Sequence, residues 1–218
     1  MVEPTRHAFH DQLDHVGERI AAMAKLVEAA VEQATTAILE GDVRLAERVI
    51  TADVEIDRMK IQLEEQIFEQ LALQQPVASD LRLLVGTLRM SADLERMGDL
   101  AGHVAKITRL RYPEHAIPEG LKSTIAEMGS IAQKMVRTTS EIVSTRDIHA
   151  AEKLIGEDER MDDLRRLLFR NMLGPDWAHG VGAAVDLALL GRYYERIADH
   201  AVSMAHSVIY LVTGEKTS

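Results

Sequence analysis

The 218-residue chain has no cysteine, only 5 prolines, and aromatic residues at 4% of its length. Without cysteine there are no disulfides and no thiolate ligands, so any metal must sit on Asp, Glu or His; a reducing, cytoplasmic setting is the expectation. Hydrophobic residues make up 46% of the chain. With so few aromatics the core falls to Leu, Ile, Val, Ala and Met, a composition of helices rather than of sheets. Positive charge is also short, 25 Lys and Arg against 35 Asp and Glu for a net charge of −10, which argues against a nucleic-acid partner. Long apolar runs are missing too. The most apolar stretch, 181–190, contains Asp186 and falls far below the roughly 20 residues of a membrane span. The polar first fourteen residues lack a signal-peptide core, so no direct membrane insertion is expected.

What the chain does have is helical periodicity, twice over. Leu13, Val16, Ile20, Met23, Val27, Val31, Ala34 and Ile38 are spaced by threes and fours, the pattern of a long amphipathic helix in a bundle. Gly41-Asp42 ends that helix; a second is predicted over 43–73 and a third over 77–110, separated by Gln74-Gln75-Pro76. After the linker 111–118 the plan returns. Leu121, Ile125, Met128, Ala132, Met135 and Ile142 mark a fourth helix, 147–173 a fifth, and 181–212 a sixth with Leu187, Leu190, Tyr194, Ile197, Ala201, Met204, Val208 and Leu211 as its seam. Asp42 aligns with Asp147, Ala46 with Ala151, Ile50 with Ile155, Asp53 with Asp158 and Asp57 with Asp162, all at an offset of 105 residues. The expected fold is all-α: two tandem three-helix bundles related by internal duplication, at 8–110 and 119–213.

The repeat extends to charge. Glu95-Arg96-Met97-Gly98-Asp99 returns one hundred residues later as Glu195-Arg196-Ile197-Ala198-Asp199. Residues four apart on a helix share a face. Each copy therefore stacks two carboxylates, which repel unless a cation lies between them. On the third helix these acids continue a face otherwise set by Leu81, Val85, Leu88 and Ala92, so a plain solvated stripe is the poorer reading. Asp53 with Asp57, and Asp158 with Asp162, supply matching pairs on the second and fifth helices. Four such pairs can assemble carboxylate clusters between adjacent helices, and oxygen-rich clusters suit iron, zinc, manganese or magnesium ions. The expected metal ligands are Asp53, Asp57, Glu95 and Asp99 in one half, and Asp158, Asp162, Glu195 and Asp199 in the other. His103 and His206 are possible additional ligands, and His200 is expected to make a packing or capping contact. Arg96 and Arg196 are the neighbours able to neutralise the acids without metal.

The segments Gln75-Pro76-Val77-Ala78-Ser79-Asp80-Leu81-Arg82, Asp93-Leu94-Glu95-Arg96-Met97-Gly98-Asp99-Leu100-Ala101 and Arg192-Tyr193-Tyr194-Glu195-Arg196-Ile197-Ala198-Asp199-His200-Ala201 together resemble the PhoU family of phosphate-transport accessory proteins. The resemblance covers nearly the whole chain. It implies a cytoplasmic negative regulator of the phosphate-starvation response, without turnover of its own. It also implies as partners the ATPase subunit of a phosphate ABC transporter and a phosphate-sensing histidine kinase, a homodimer, and multinuclear metal clusters on the Asp/Glu-x-x-x-Asp motifs. Ala198 stands where the family usually has Gly, and Ser203 and His103 where Asn is frequent, departures that count against equal metal occupancy of the two halves.

Two other functions fit parts of the pattern. A di-iron carboxylate oxidase needs Glu-x-x-His pairs, and no His in the chain has Glu three residues before it. A non-regulatory helical adaptor would use its acidic faces to hold basic partner surfaces. No nucleophile–base pair and no Gly-rich phosphate loop points to an enzyme.

Overall fold

A computed structural model describes residues 3–215, with side chains described from residue 15 onward; Leu13 of the predicted seam lies outside those side chains. Seven α-helices run in order: α1 (Glu3–Glu40), α2 (Val43–Gln74), α3 (Ala78–Arg111), α4 (Lys122–Thr145), α5 (Ile148–Gly156), α6 (Asp158–Met172) and α7 (Gly180–Thr213), with a single 3₁₀ turn, Glu119–Leu121, before α4. Among the described residues there is no strand. The duplicated aspartates at the start of α2 and α5 are N-caps. Asp42 accepts from the backbone N–H of Arg44 at 2.9 Å and of Leu45 at 3.0 Å. Asp147 accepts from that of Ala150 at 3.1 Å, each satisfying a donor the helix leaves open. Gly214 closes α7 at φ 77°, a left-handed conformation that costs glycine least.

The predicted fifth helix is in fact two. The ladder breaks at Glu157, whose N–H bonds to Leu154 three residues back. Gly156, just before it, contributes no side chain to support the turn. Lys134 on α4 pairs with Glu157 at 2.7 Å and Arg160 pairs with Glu127, so the break is tied to α4 on both sides, whereas α2 is one continuous helix.

Helices α1–α3 form one half and α4–α7 the other, but the halves are not side by side with separate cores. α1 packs on α4 and α3 on α7, and one continuous apolar core draws residues from every helix. Within it lie Val16, Ile20, Met23, Val27, Val31, Ala34 and Ile38 of α1, and Ile125, Met128, Ala132, Met135 and Ile142 of α4. Met90, Leu94, Met97, Ala101 and Val104 of α3, and Leu187, Leu190, Tyr194, Ile197, Ala201, Met204 and Val208 of α7, complete the predicted seams. Leu211 is only partly buried, packed on the edge of the core. Leu81 and Val85, expected to form a second apolar face of α3, are exposed instead, Val85 on the open groove between α3 and α7. The α3–α7 pair is antiparallel: Gly86 meets Leu211, Asp93 meets His200 and His103 meets Tyr193. Across the α1–α4–α7 junction the Thr35 hydroxyl donates to Val31 O at 2.8 Å and lies 2.9 Å from the fully buried Tyr194 hydroxyl. With the Thr35 proton committed, Tyr194 is the donor of that bond.

Candidate functional site

In the first half α2 and α3 bring all four predicted acids into one cluster. Asp53 reaches it by resting on the α3 backbone. A Cβ at Gly98 would stand 3.2 Å from Asp53 Oδ1 and 2.9 Å from Ile56 Cδ1, and one at Gly102 would stand 3.7 Å from Asp53 Oδ2. Gly98 thus lets the carboxylate seat where a Cβ would crowd it, while at Gly102 a Cβ would make ordinary contact. Burial pushes the Asp53 carboxyl up to about 6, and the neighbouring charges of Asp99, Asp57 and Glu95 add to the rise against the opposing pull of Lys106. Asp57 itself is exposed. Glu95 Oε1 lies 3.3 Å from Lys60 Nζ, and Arg96 sits 3.5 Å from Glu95 Oε2 and 3.1 Å from Asp99 Oδ2. The Glu95 Oε2 atom is enclosed yet receives no hydrogen bond; the contact with Arg96 is electrostatic only.

The second half repeats the cluster with different support. Asp158 stands in the first turn of α6, and its carboxyl is raised by burial and by the charges of Asp199, Asp162 and Glu195. Asp199 is raised by burial and by Glu195, with Arg192 and His200 pulling the other way. Glu195 is only 8% exposed. Arg192 Nη1 donates to its Oε2 at 2.5 Å, and Arg165 Nε lies 3.2 Å from its Oε1. Where the first half has Gly98 and Gly102, the second has Ala198 and Val202.

Sequence reasoning missed the cations on the flank of both clusters, Lys60 against Glu95 and Arg165 against Glu195. Lys60 and Arg165 stand at the offset of 105 that aligns Asp53 with Asp158, so the alignment carried three residues past Asp57 and Asp162 would have found them. Arg96 engages its neighbouring acids as expected. Arg196 makes no ion pair among the described residues, and Arg192 and Arg165 take its place. The histidines are dispersed. His103 stacks on Tyr193 with ring centroids 5.3 Å apart, and burial, joined by the nearby Lys106 and Arg196 charges, lowers its pKa against the pull of Asp99. His200 crosses to α3, its Nδ1 2.9 Å from Asp93 Oδ1, while Ser203 donates to Asp93 Oδ2 at 2.9 Å. His206 lies further along α7, in the groove between α3 and α7.

The donor set, all carboxylate oxygen, is chemically suited to hard or borderline cations. An enclosed Glu95 oxygen without a hydrogen bond and a raised Asp53 carboxyl are both strains that a bound cation relieves. As the side chains stand, no three carboxylates or imidazoles among the described residues converge closely enough to hold an ion; Lys60 and Arg165 occupy one flank of each cluster.

An all-α protein built from a duplicated helical unit, each copy carrying an Asp pair opposite a Glu-x-x-x-Asp pair, is the class that fold and site define. The PhoU domain matches residues 20–108 and again residues 125–208, and the chain belongs to the PhoU family. It is 47% identical to the phosphate-specific transport system accessory protein PhoU homolog 2 of Mycobacterium tuberculosis, over 96% of this chain and 98% of that one. It is 46% identical to PhoU homolog 1 of Mycobacterium leprae, over 96% and 94% of the respective chains. The crystal structure of PhoU from Pseudomonas aeruginosa superposes with a TM-score of 0.88 at 32% identity, covering 95% of this chain and all of that one.

Proposed function

We propose that this chain is a cytoplasmic negative regulator of phosphate uptake and of the phosphate-starvation response, acting by contact rather than by turnover. The observation that carries this reading is the end-to-end match to proteins named as accessories of phosphate-specific transport. Its partners would be the ATPase subunit of a phosphate ABC transporter and a phosphate-sensing histidine kinase, engaged by a homodimer. No described helix is long and apolar enough to cross a membrane, in keeping with action beside a transporter rather than within it. Deleting the gene, together with any paralogue, should derepress phosphate-uptake genes when phosphate is plentiful. Normal phosphate-responsive expression in that strain rules the function out. Substituting Glu195 and Asp199 by Ala should weaken repression while circular dichroism of the purified protein stays unchanged.

The carboxylate clusters would serve this role as metal sites, Asp53, Asp57, Glu95 and Asp99 holding one group of ions and Asp158, Asp162, Glu195 and Asp199 the other. Iron, zinc, manganese or magnesium would neutralise the crowded acids and fix α2 against α3, and α6 against α7. Elemental analysis of protein purified without an affinity tag should find metal, and the Glu95→Ala/Asp99→Ala variant should lose a marked part of it. Full metal content in that variant excludes the first site. The positions of Lys60 and Arg165 favour a second reading, in which each cluster carries its own cation and presents acidic surface to basic partners. Metal-free protein that still represses would establish it.

A further inference from the structure

The antiparallel packing of α3 on α7 leaves an open groove of about 980 Å³ on the side away from the core, lined by Arg82, Gly86 and Arg89 from α3 and by Ser203, Ser207 and Tyr210 from α7. Arg82 and Arg89 are seven residues apart, two helical turns, and so face the same way. Gly86 stands between them and lets Leu211 of α7 pack onto α3, which fixes the width of the groove floor. In a chain with a net charge of −10, neither arginine has a carboxylate within ion-pairing distance among the described residues. Asp93 and Asp199 close one end of the groove, and Asp93 is already held by His200 and Ser203. Arg82 packs its outer nitrogens on Gly214 at the end of α7, and its Nε is enclosed with no acceptor. A buried guanidinium N–H without an acceptor is costly.

The duplication supplies an internal control. The positions equivalent to Arg82 and Arg89 in the second half are Gly182 and Leu189, and those equivalent to Ser203, Ser207 and Tyr210 in the first are His103, Ile107 and Leu110. On that side Arg111 is neutralised by the buried Asp186 at 2.5 Å. The pair of arginines two turns apart on one helix, neither matched by an acid, thus belongs to one side of the molecule only.

We infer that this groove binds one phosphoryl group per chain, as free phosphate or as the phosphoryl end of a small ester. Guanidinium forks match phosphate oxygens two at a time, and hydroxyls supply the remaining donors. The volume leaves room beside the phosphoryl group for an ester's organic part. The inference goes beyond the regulatory reading and does not rest on it.

The test is isothermal titration of the full chain, freed of metal with a chelator, using orthophosphate in one arm and glycerol 1-phosphate in the other. Saturable binding with a stoichiometry near one in either arm is expected, and the arm that binds more tightly identifies the source. Arg89→Gln, at an exposed position, and Arg82→Gln should each weaken binding at least tenfold. Arg170→Gln, an exposed residue of α6 remote from the groove, and Glu95→Ala/Asp99→Ala should bind as the wild type does. If Arg82→Gln fails to fold, the exposed Arg89 carries the test. Absence of saturable binding in both arms overturns the inference, and so does wild-type affinity in Arg89→Gln or equal weakening by Arg170→Gln. Binding in a protein whose deletion leaves phosphate-responsive expression normal would overturn only the regulatory reading.

Discussion

Asp53 is the most electrostatically burdened residue of the first cluster, and its burden fixes a pH dependence. Its carboxyl titrates near 3.8 when free and near 6 in the folded protein, so the folded state binds its proton more tightly than the unfolded state. The contribution of Asp53 to stability is therefore most favourable below pH 3.8, declines as pH rises between these values, and is a constant cost above about 6. Asp53→Asn, kept in chelator, should unfold at higher urea than the wild type at pH 8, and the gap should close as pH falls from 6 toward 4. A gap that widens with acid contradicts this assignment. Gly98 beneath Asp53 makes a second test. A methyl there presses on Ile56 and on Asp53 itself, so Gly98→Ala should lose about 1 kcal/mol of stability in denaturant unfolding, its gain in helix propensity outweighed by the crowding. At this scale the acids were legible from sequence, because period-four spacing states which carboxylates share a face. Lys60 and Arg165 repeat at the same offset as the aspartates, but spacing along α2 and α6 does not state that a side chain reaches across to Glu95 or Glu195.

At the scale of the element, the six predicted helices followed from punctuation and periodicity, both local properties. The α5–α6 break was not legible. Glycine in a helix is tolerated at a modest cost, so Gly156 by itself does not announce a break, and the Lys134–Glu157 pair that accompanies it comes from another helix. No atom lies within 4 Å of where a Cβ would stand at Gly156, and its φ is not left-handed, so Gly156→Ala meets no obstacle and gains helix propensity. It should raise stability by roughly 0.5–1 kcal/mol, read as a higher urea midpoint. The contrasting glycine is Gly129 of α4, where a Cβ would fall within the Thr35 side chain. Gly129→Ala should cost about 1–3 kcal/mol through overpacking, and part of that should return in the Gly129→Ala/Thr35→Ser double variant, which removes the methyl nearest the new Cβ and keeps the hydroxyl that accepts from Tyr194. If the double variant is no more stable than Gly129→Ala alone, the strain lies elsewhere.

For the whole molecule, duplication suggests two bundles able to stand apart, whereas the packing makes one body. The apolar stripes of α1 and α4 face each other, as do those of α3 and α7, and Tyr194 of the second half donates its buried hydroxyl to Thr35 of the first. Parting the halves would expose this shared core to water and strand that hydroxyl, a cost of the size that makes small proteins unfold in one step. Sequence periodicity reports which face of a helix is buried but not against which partner, so the merging of the two cores could not be read from it. The merger is testable because the single Trp177 lies in the second half, between α6 and α7, while Leu63 is fully buried on α2 in the first. Leu63→Ala should cost about 2–5 kcal/mol. If the halves fold as one, the Trp177 fluorescence transition in urea should move to lower denaturant by the same amount as the helical signal in circular dichroism. A Trp177 transition that stays at its wild-type midpoint, while part of the helical signal is lost earlier, would show two halves that unfold independently in spite of the core they share.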